Sequence, residues 1–425
     1  MKLLGIDIGT TSICGVLTDS SDGKVLRTRT EDSHAFLSSA FPWEKIQDVE
    51  KMLRIARSIC DDLIGDGADC IGVTGQMHGI VYYDENGDAV SPLCTWQDGR
   101  GNQPYRNGKT YAEFLGIPSG YGHTTDFYNR ENGLRPASAV GFCTIHDYFV
   151  MKLTGRKTPL IHASNAASFG GFDLVRGCFS RDFSGEVTSA SGTAGTYRGI
   201  PVSCAIGDNQ ASVFGAVRKD TDILLNIGTG GQVSVVTDRV ITGKDIECRP
   251  YIGGKYLAVG ASLCGGRAYA MLERFYSDVV FYATGKRMEL YEAMERMDDF
   301  PAFPMTADTR FDGTRTDPSL TGSLSGITTE NFTPSALRQA FLSGMIGELY
   351  TMFTEMHTTG SALVGSGNGI RRNRTLVSIA ESVFGLKMRI PVHREEAAFG
   401  AALFGALASG AESDTEKLKA VIRNE

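Results

Sequence analysis

Leu4-Gly5-Ile6-Asp7-Ile8-Gly9-Thr10-Thr11 and Leu224-Leu225-Asn226-Ile227-Gly228-Thr229-Gly230-Gly231 read as two copies of one device. Each is an apolar strand with a single polar residue inside it, and each runs into a Gly-Thr turn. A second strand follows, Ser12 to Leu17 in the first copy and Gln232 to Val236 in the second. Glycine and threonine at such a turn leave backbone N–H groups able to converge on an anion, with hydroxyls beside them. Either copy alone is ordinary hairpin chemistry. One in each half of the chain points instead to a duplicated domain, each half with its own phosphate-gripping hairpin and a nucleotide lying between them. The polar residue differs between the copies, Asp7 in one and Asn226 in the other. A carboxylate inside a buried strand is expensive unless it is paired or metal-bound, so only the first half is built to handle a cation.

Composition sets the frame around this repeat. The 425 residues suffice for two domains with separate cores, and 42% hydrophobic with 21% charged residues is the balance of a globular protein. A net charge of −7 argues against nucleic acid as a partner, which calls for a basic face. The nine cysteines are scattered without a Cys-x-x-Cys pair, which speaks against cysteine-only metal sites and a disulfide framework. Asp7 interrupts the first apolar run, so the N-terminus reads as a core strand rather than a signal peptide. The longest uncharged apolar run, 397–411, is shorter than the roughly 20 residues of a membrane span. The expectation is a cytoplasmic protein with no membrane partner.

Along the chain, strands are expected at 2–8, 12–18 and 24–30, then an amphipathic helix over 47–64 with Val49, Leu53, Ala56, Ile59, Cys60 and Leu63 on one face. A buried strand at 70–74 leads into Gly75-Gln76-Met77-His78-Gly79. Residues 101–136, polar and rich in glycine and proline, read as an inserted cap, and a helix over 144–154 ends at Gly155. After the second hairpin come a strand pair near 247–260, a long helix from Gly266, an irregular stretch over 298–323, and helices over 334–357, 373–385 and 395–409, the last closing the second core. Strands alternating with helices, each half opening on a hairpin, describe a duplicated α/β fold with mixed sheets, two domains (1–214 and 215–425) and a cleft between them.

Four segments carry candidate chemistry. Asp208, in Ile206-Gly207-Asp208-Asn209-Gln210, stands at a strand end before a helix of small residues. It is either a helix N-cap or the carboxylate that orients and deprotonates an attacking hydroxyl in phosphoryl transfer. Asp7 then suits a metal or water ligand, since Mg²⁺ takes one or two carboxylates and fills its shell with phosphate and water. Gln76 and His78 offer a polyol several hydrogen bonds, though a histidine in a glycine-flanked turn is often structural. In Thr95-Trp96-Gln97-Asp98-Gly99-Arg100, Asp98 and Arg100 either form a surface ion pair or bind sugar hydroxyls beside a Trp96 wall. Gly365-Ser366-Gly367-Asn368-Gly369 leaves a strand for a helix; it either packs the two together or lets backbone approach adenine. Asn373 is an N-cap or a nucleoside contact.

As a set, these segments resemble the FGGY carbohydrate kinases of the actin-like, ribonuclease-H-like ATPase superfamily, from Gly5-Ile6-Asp7-Ile8-Gly9-Thr10 through Gly207-Asp208-Asn209-Gln210 to Glu396-Ala397-Ala398-Phe399-Gly400-Ala401-Ala402. Within the family the sedoheptulokinase branch is the most similar, with xylulokinases sharing the Gln-x-His and Trp-x-Asp-x-Arg themes. The resemblance implies ATP-dependent phosphorylation of a ketose at its terminal primary hydroxyl, with Asp208 as general base and Asp7 organising Mg²⁺. It implies phosphate contacts from Gly9, Thr10, Thr11, Gly228, Thr229 and Gly230, and nucleoside contacts near Gly365, Gly367 and Asn373. Gln76, His78, Asp98, Arg100 and Asn209 would face the sugar. Two features depart from the family pattern: 173–207 is short, and 121–128 lacks an arginine that xylulokinases place near substrate. A more open sugar pocket, or one completed by the second subunit of a homodimer, would follow. Two rival classes are a non-catalytic nucleotide and sugar sensor and a chaperone-like or cytoskeletal ATPase; Asp7, Asp208 and both turns speak against the first, and the Gln76–His78 and Trp96–Arg100 clusters against the second.

Overall fold

In the computed structural model of the chain, which describes residues 1–180, 183, 185–297, 304–314, 317 and 319–425, strand Lys2–Ile8 is central to a mixed sheet. It pairs antiparallel with Ser12–Asp19 on one side and parallel with Cys70–Gly75 on the other. Among the described residues the sheet runs Thr193–Tyr197, Ile200–Ser203, Cys70–Gly75, Lys2–Ile8, Ser12–Asp19, Val25–Asp32, and the short strand Ile206–Gly207 also joins Cys70–Gly75. One face is covered by helix Val49–Ile64, which Asp48 caps by accepting from the Lys51 amide at 2.9 Å. Its apolar stripe buries Val49, Leu53, Ala56, Ile59, Cys60 and Leu63 as the 3.6-residue period requires, and Met52 with them. Helix Ile145–Thr154 ends at Gly155 in the left-handed conformation (φ 72°), which a glycine adopts without strain.

The second sheet repeats the plan of the first. Its order is Ile246–Pro250, Tyr256–Ser262, Gly231–Thr237, Ile223–Ile227, Leu363–Ser366, Met388–Arg389. Here too the opening hairpin is antiparallel, and its first strand has a parallel neighbour on the far side. The correspondence reaches single residues. Asp7 lies opposite Cys14 and Thr74, and Asn226 lies opposite Gln232 and Ser366. The two polar residues that differ between the repeats therefore hold the same place in two copies of one fold, a duplicated actin-like, ribonuclease-H-like α/β architecture with mixed sheets. The stretch expected to be irregular contains a small hairpin, Thr306–Asp308 with Ser323–Ser325; residues 298–303 lie outside the described residues.

Contacts divide the chain into one unit of Met1–Arg218, Arg249–Tyr256 and Glu395–Arg423 and another of Lys219–Cys248, Leu257–Arg394 and Asn424–Glu425. This departs from the contiguous 1–214 and 215–425 read from the sequence. Helix Glu396–Ala408, expected to close the second core, packs in the first unit. Glycines make this seating possible: a Cβ at Gly5 would come within 1.8 Å of the Ala398 carbonyl oxygen, and one at Gly72 within 1.7 Å of that of Ala401. Gly400 in turn lies against the Ala211 carbonyl of helix Asp208–Ala216. The helix is apolar all round, the pattern of a helix buried on every side. Among the described residues no helix is long and apolar enough to cross a membrane.

Candidate active site

In the first unit, three parallel strands end at one edge of the sheet. Ile8, Gly75 and Gly207 are their last residues, tied by the Gln76 amide to the Ile8 carbonyl (3.0 Å) and by the Thr74 hydroxyl to the Ile206 carbonyl (2.8 Å). The carboxyl edge of parallel strands is where α/β folds place ligands. Beyond it lie Gly9-Thr10-Thr11, Gln76-Met77-His78 and Asp208-Asn209. Gly207 is the N-cap of helix Asp208–Ala216, so Asp208 is its first helical residue. One Asp208 oxygen accepts from the Asn209 amide at 2.7 Å, and the residue stays partly exposed. The N-cap alternative for Asp208 is thereby set aside.

Electrostatics mark this edge. Burial lifts the Asp7 carboxyl to about 7, and the nearby carboxylates of Asp208 and Glu395 add to the rise. Burial also raises Asp208, against the pull of the Arg249 guanidinium, which is buried and donates to Met77 Sδ at 3.8 Å. A partly accessible Asp7 carboxylate, raised by burial and by two neighbouring carboxylates, matches the needs of a divalent cation that takes only one or two protein carboxylates. The donor set of this edge therefore fits Mg²⁺, with Asp7 foremost.

The residues expected at the sugar divide into two groups. His78 holds a backbone φ of +71°, its Nδ1 lies 2.8 Å from the Ser168 carbonyl oxygen, and its ring packs 4.1 Å from that of Tyr121. Nδ1 must donate to that carbonyl, which makes Nε2 the acceptor of the neutral ring. Non-glycine residues at positive φ carry strain that the surroundings must hold. Gln76, in contrast, is 3% exposed, with both ends of its amide committed: Oε1 accepts from the Thr10 hydroxyl (3.2 Å) and Nε2 donates to Gln47 (2.9 Å). Gln47 donates back to the Thr10 carbonyl at 2.7 Å, and the Trp96 indole donates to the Thr10 hydroxyl at 3.0 Å. Gln76 thus braces the first turn, and Trp96, 48% exposed, links that turn to solvent.

Asp98 and Arg100 form a buried pair, not a surface one. Nε lies 2.7 Å from Asp98 Oδ1 and Nη2 3.1 Å from Oδ2; Arg100 also reaches Asn129 and Glu44. Asp98 accepts further from the amides of Lys45 and Arg100. Their polar atoms join the 44–45 segment to the 100–129 region. Asn209 is partly exposed in the first helical turn beside Asp208.

In the second unit, the exposed Gly228-Thr229 turn is fastened to the start of helix Gly265–Thr284. The amide of Gly266 donates to the Gly228 carbonyl (2.9 Å) and that of Arg267 to the Thr229 carbonyl (3.0 Å). This turn forms one wall of a cavity of about 790 Å³ whose far wall includes Tyr269, Glu295, Asn368, Gly369 and Asn373. The volume lies within the range of small-ligand sites. Asn373 caps helix Arg374–Phe384 by accepting from the Leu376 amide at 2.9 Å, while its Nδ2, buried, has no hydrogen-bond partner. The N-cap alternative read from the sequence is observed, and the other end of the side chain is an unused donor on the cavity wall. Gly365 and Gly367, expected near the nucleoside, do not line the cavity. Gly365 lies within strand Leu363–Ser366 against Ile370 and Met388, and Gly367, at φ 84°, packs on Asn226 and Ile227 so tightly that a Cβ would come within 2.5 Å of the Ile227 carbonyl oxygen. Their neighbours Asn368 and Gly369 take the wall positions instead.

Comparison with known proteins matches residues 2–184 to the N-terminal domain and residues 224–409 to the C-terminal domain of the FGGY family of carbohydrate kinases. The chain belongs to this family. As an FGGY carbohydrate kinase it is a sugar kinase of an ATP-dependent family. The sedoheptulokinase of Mus musculus is 29% identical over 94% of this chain and 96% of its own length. A xylulose kinase of Staphylococcus epidermidis is 23% identical over 96% and 88%. Among solved structures, xylulose kinase from Rhodospirillum rubrum superposes with a TM-score of 0.86 at 20% identity, covering 100% of this chain and 93% of that one. Plasmodium falciparum glycerol kinase with ADP gives 0.77 at 15%, covering 100% and 93%. These last two establish the fold.

Several residues of this FGGY kinase site escaped the sequence reading: Arg249 and Glu395 beside the two aspartates, Gln47 behind Thr10, and Tyr269 on the cavity. Arg249, two residues after Glu247 in strand Ile246–Pro250, carried no local signal. Glu395 sits among Arg394 and Glu396 and had none.

Proposed function

We propose that this FGGY kinase transfers the γ-phosphoryl group of ATP to the terminal primary hydroxyl of a ketose of the sedoheptulose type, with Asp208 as general base. The observation that carries the reading is the pair Asp7 and Asp208 at one strand edge, close enough that the Asp208 carboxylate raises Asp7. Asp208, partly exposed at the start of a helix, with its carboxyl raised by burial against the pull of Arg249, accepts the proton of the acceptor hydroxyl as its oxygen attacks phosphorus. His78 Nε2, Asn209 and the Trp96 ring orient the sugar; Asp98, Arg100 and Gln76 keep the loops that carry them in place. Gly9, Thr10 and Thr11 in the first unit and Gly228, Thr229 and Gly230 in the second contact phosphate. The 790 Å³ cavity takes the nucleoside, with the Asn373 amide as a donor to it. Mg²⁺, when bound at Asp7, neutralises phosphate charge that would otherwise repel the attacking oxygen. The first unit is then the sugar and metal side and the second the nucleotide side.

The test is a coupled ADP-release assay over sedoheptulose, xylulose, ribulose, fructose and glycerol. The expected result is ketose-dependent turnover, greatest with sedoheptulose, that falls by about 10²–10⁴ in Asp208→Ala while ADP binding by calorimetry is retained. Turnover by the variant at the rate of the parent would overturn the base; binding of both ligands without turnover over the whole panel would turn the reading into that of a sensor.

A further inference from the structure

The second unit holds another cavity, of about 600 Å³, which the reaction above leaves unused. Strand Thr306–Asp308 with Thr309 and Arg310 makes one side, and helix Pro334–Glu355 the other. Thr309 is 1% exposed and its hydroxyl oxygen has no hydrogen-bond partner; Gln339 Oε1 on the facing helix is likewise buried without one. Buried polar atoms in native proteins are nearly always satisfied, and two exceptions on facing walls of one cavity call for a ligand or water that satisfies them. The cavity is also acidic. Lys244 and Arg310 stand against Asp245, Asp308, Glu348 and Glu355, and Arg310 is closed on Asp308 through Nε–Oδ1 at 2.9 Å and Nη2–Oδ2 at 2.6 Å. Among the described lining residues four carboxylates stand against two cations, so a cationic ligand is favoured.

Glu348 connects this cavity to the opening repeat of the second unit. Its Oε2 accepts from the Ser262 hydroxyl at 2.8 Å, and Ser262 Oγ accepts from the Cys264 amide at 3.3 Å. The Ser262 carbonyl in turn abuts Gly230, where a Cβ would come within 2.8 Å of it. We propose that the cavity is an effector site for a small hydroxylated amine, its protonated nitrogen at Glu348 and a hydroxyl at Thr309, and that occupancy is felt by the Gly228–Gly231 turn through Ser262. The second clause rests on that turn holding phosphate; the first does not.

Glucamine and sorbitol differ only in an ammonium group for a hydroxyl and serve as probes in calorimetric titrations of the full chain without nucleotide. Glucamine is expected to bind with a Kd of about 1 mM or tighter, and sorbitol at least tenfold more weakly. Gly347→Leu fills the cavity from a helix position where a Cβ meets nothing within 4 Å and where leucine is the better helix former. That variant and Glu348→Gln are expected to lose at least tenfold in glucamine affinity, while Gly347→Leu binds ADP as the parent does. With glucamine saturating, the Kd for ADP is expected to shift at least threefold in the parent and not in Gly347→Leu. No binding of glucamine, equal binding of sorbitol, or undiminished binding by Gly347→Leu overturns the site. An ADP affinity that bound glucamine leaves unmoved overturns the coupling. If Gly228→Ala leaves ADP affinity unchanged, the phosphate role of the turn fails instead, and the glucamine titration still decides the site.

Discussion

Replacing Asp7 by Asn is expected to stabilise the free protein at pH 8 and to abolish its activity. Burial and the carboxylates of Asp208 and Glu395 lift the Asp7 carboxyl from 3.8 to about 7. An acid whose pKa is raised by folding binds its proton more tightly in the native state than in the unfolded one, so stability falls as pH rises between the two values. Below about 4 both states are protonated and Asp7 costs nothing; above about 7 the cost is complete. A rise of about three pKa units corresponds to roughly 4 kcal/mol at 1.36 kcal/mol per unit. Asp7 keeps part of its surface in contact with solvent, which screens it, and about half of that figure is a fair expectation. For a unit of this size about 2 kcal/mol moves the unfolding midpoint by roughly 4–8 °C. The assay is thermal unfolding by circular dichroism of both proteins without nucleotide or metal, at steps from pH 4.5 to 8. The midpoints should nearly coincide at the acid end and separate in favour of Asp7→Asn toward pH 8. Adding ADP with Mg²⁺ should raise the midpoint of the parent more than that of the variant, because ligand that binds only the native state stabilises it by mass action. A variant equal to or less stable than the parent at pH 8 would refute the account of Asp7 as a carboxylate held at a loss for a cation.

Other expectations concern the second unit. Gly367→Ala should lower stability by about 1–3 kcal/mol in chemical denaturation, since φ 84° and the contact with Ile227 both oppose a Cβ. Gly228→Ala, where a Cβ meets nothing within 4 Å, should leave stability within about 0.5 kcal/mol and weaken ADP binding in titration. Asn373→Ser keeps an N-cap acceptor but withdraws the amide donor, so ADP affinity should fall while the unfolding midpoint holds; Asn373→Ala should also lose about 1 kcal/mol of stability. Arg338, fully buried, donates to Tyr269, the Met297 carbonyl and Thr375 and pairs with Glu295 at 3.2 Å. Arg338→Met should cost about 3 kcal/mol in denaturant melts and raise the KM for ATP more than that for sugar, because Tyr269 and Glu295 line the cavity proposed for the nucleoside.

Much of the candidate site was legible because its signals are local. A Gly-Thr turn after an apolar strand, an aspartate at a strand end and a histidine between glycines are each visible within a few residues. The roles of Gln76, Asp98 and Arg100 were not. Whether an amide or an ion pair faces a ligand or braces a loop depends on partners 29 to 66 positions away, such as Asn129 for Arg100 and Thr10 for Gln76. The two alternatives for Gly365 and Gly367 stayed open for a related reason. Glycine is required both where backbone meets a ligand and where backbone meets backbone, and only the packing of Gly367 on Ile227 tells the two apart.

The repeat with which the chain opens each half determined, by itself, a duplicated fold with one carboxylate-bearing strand and one neutral copy. Alternation along a strand and a glycine turn are properties of neighbouring residues, and they survive without knowledge of the rest. The course of helix Glu396–Ala408 was decided by tertiary structure alone. Apolar on every side, it carries no stripe to say which sheet it covers, and its glycine and alanine backbone fits against Gly5 and Gly72 of the first sheet. That seating brings Glu395, the residue before the helix, to Asp7 at the other end of the chain. The electrostatics of the site therefore arise from residues that no reading of neighbours could have joined.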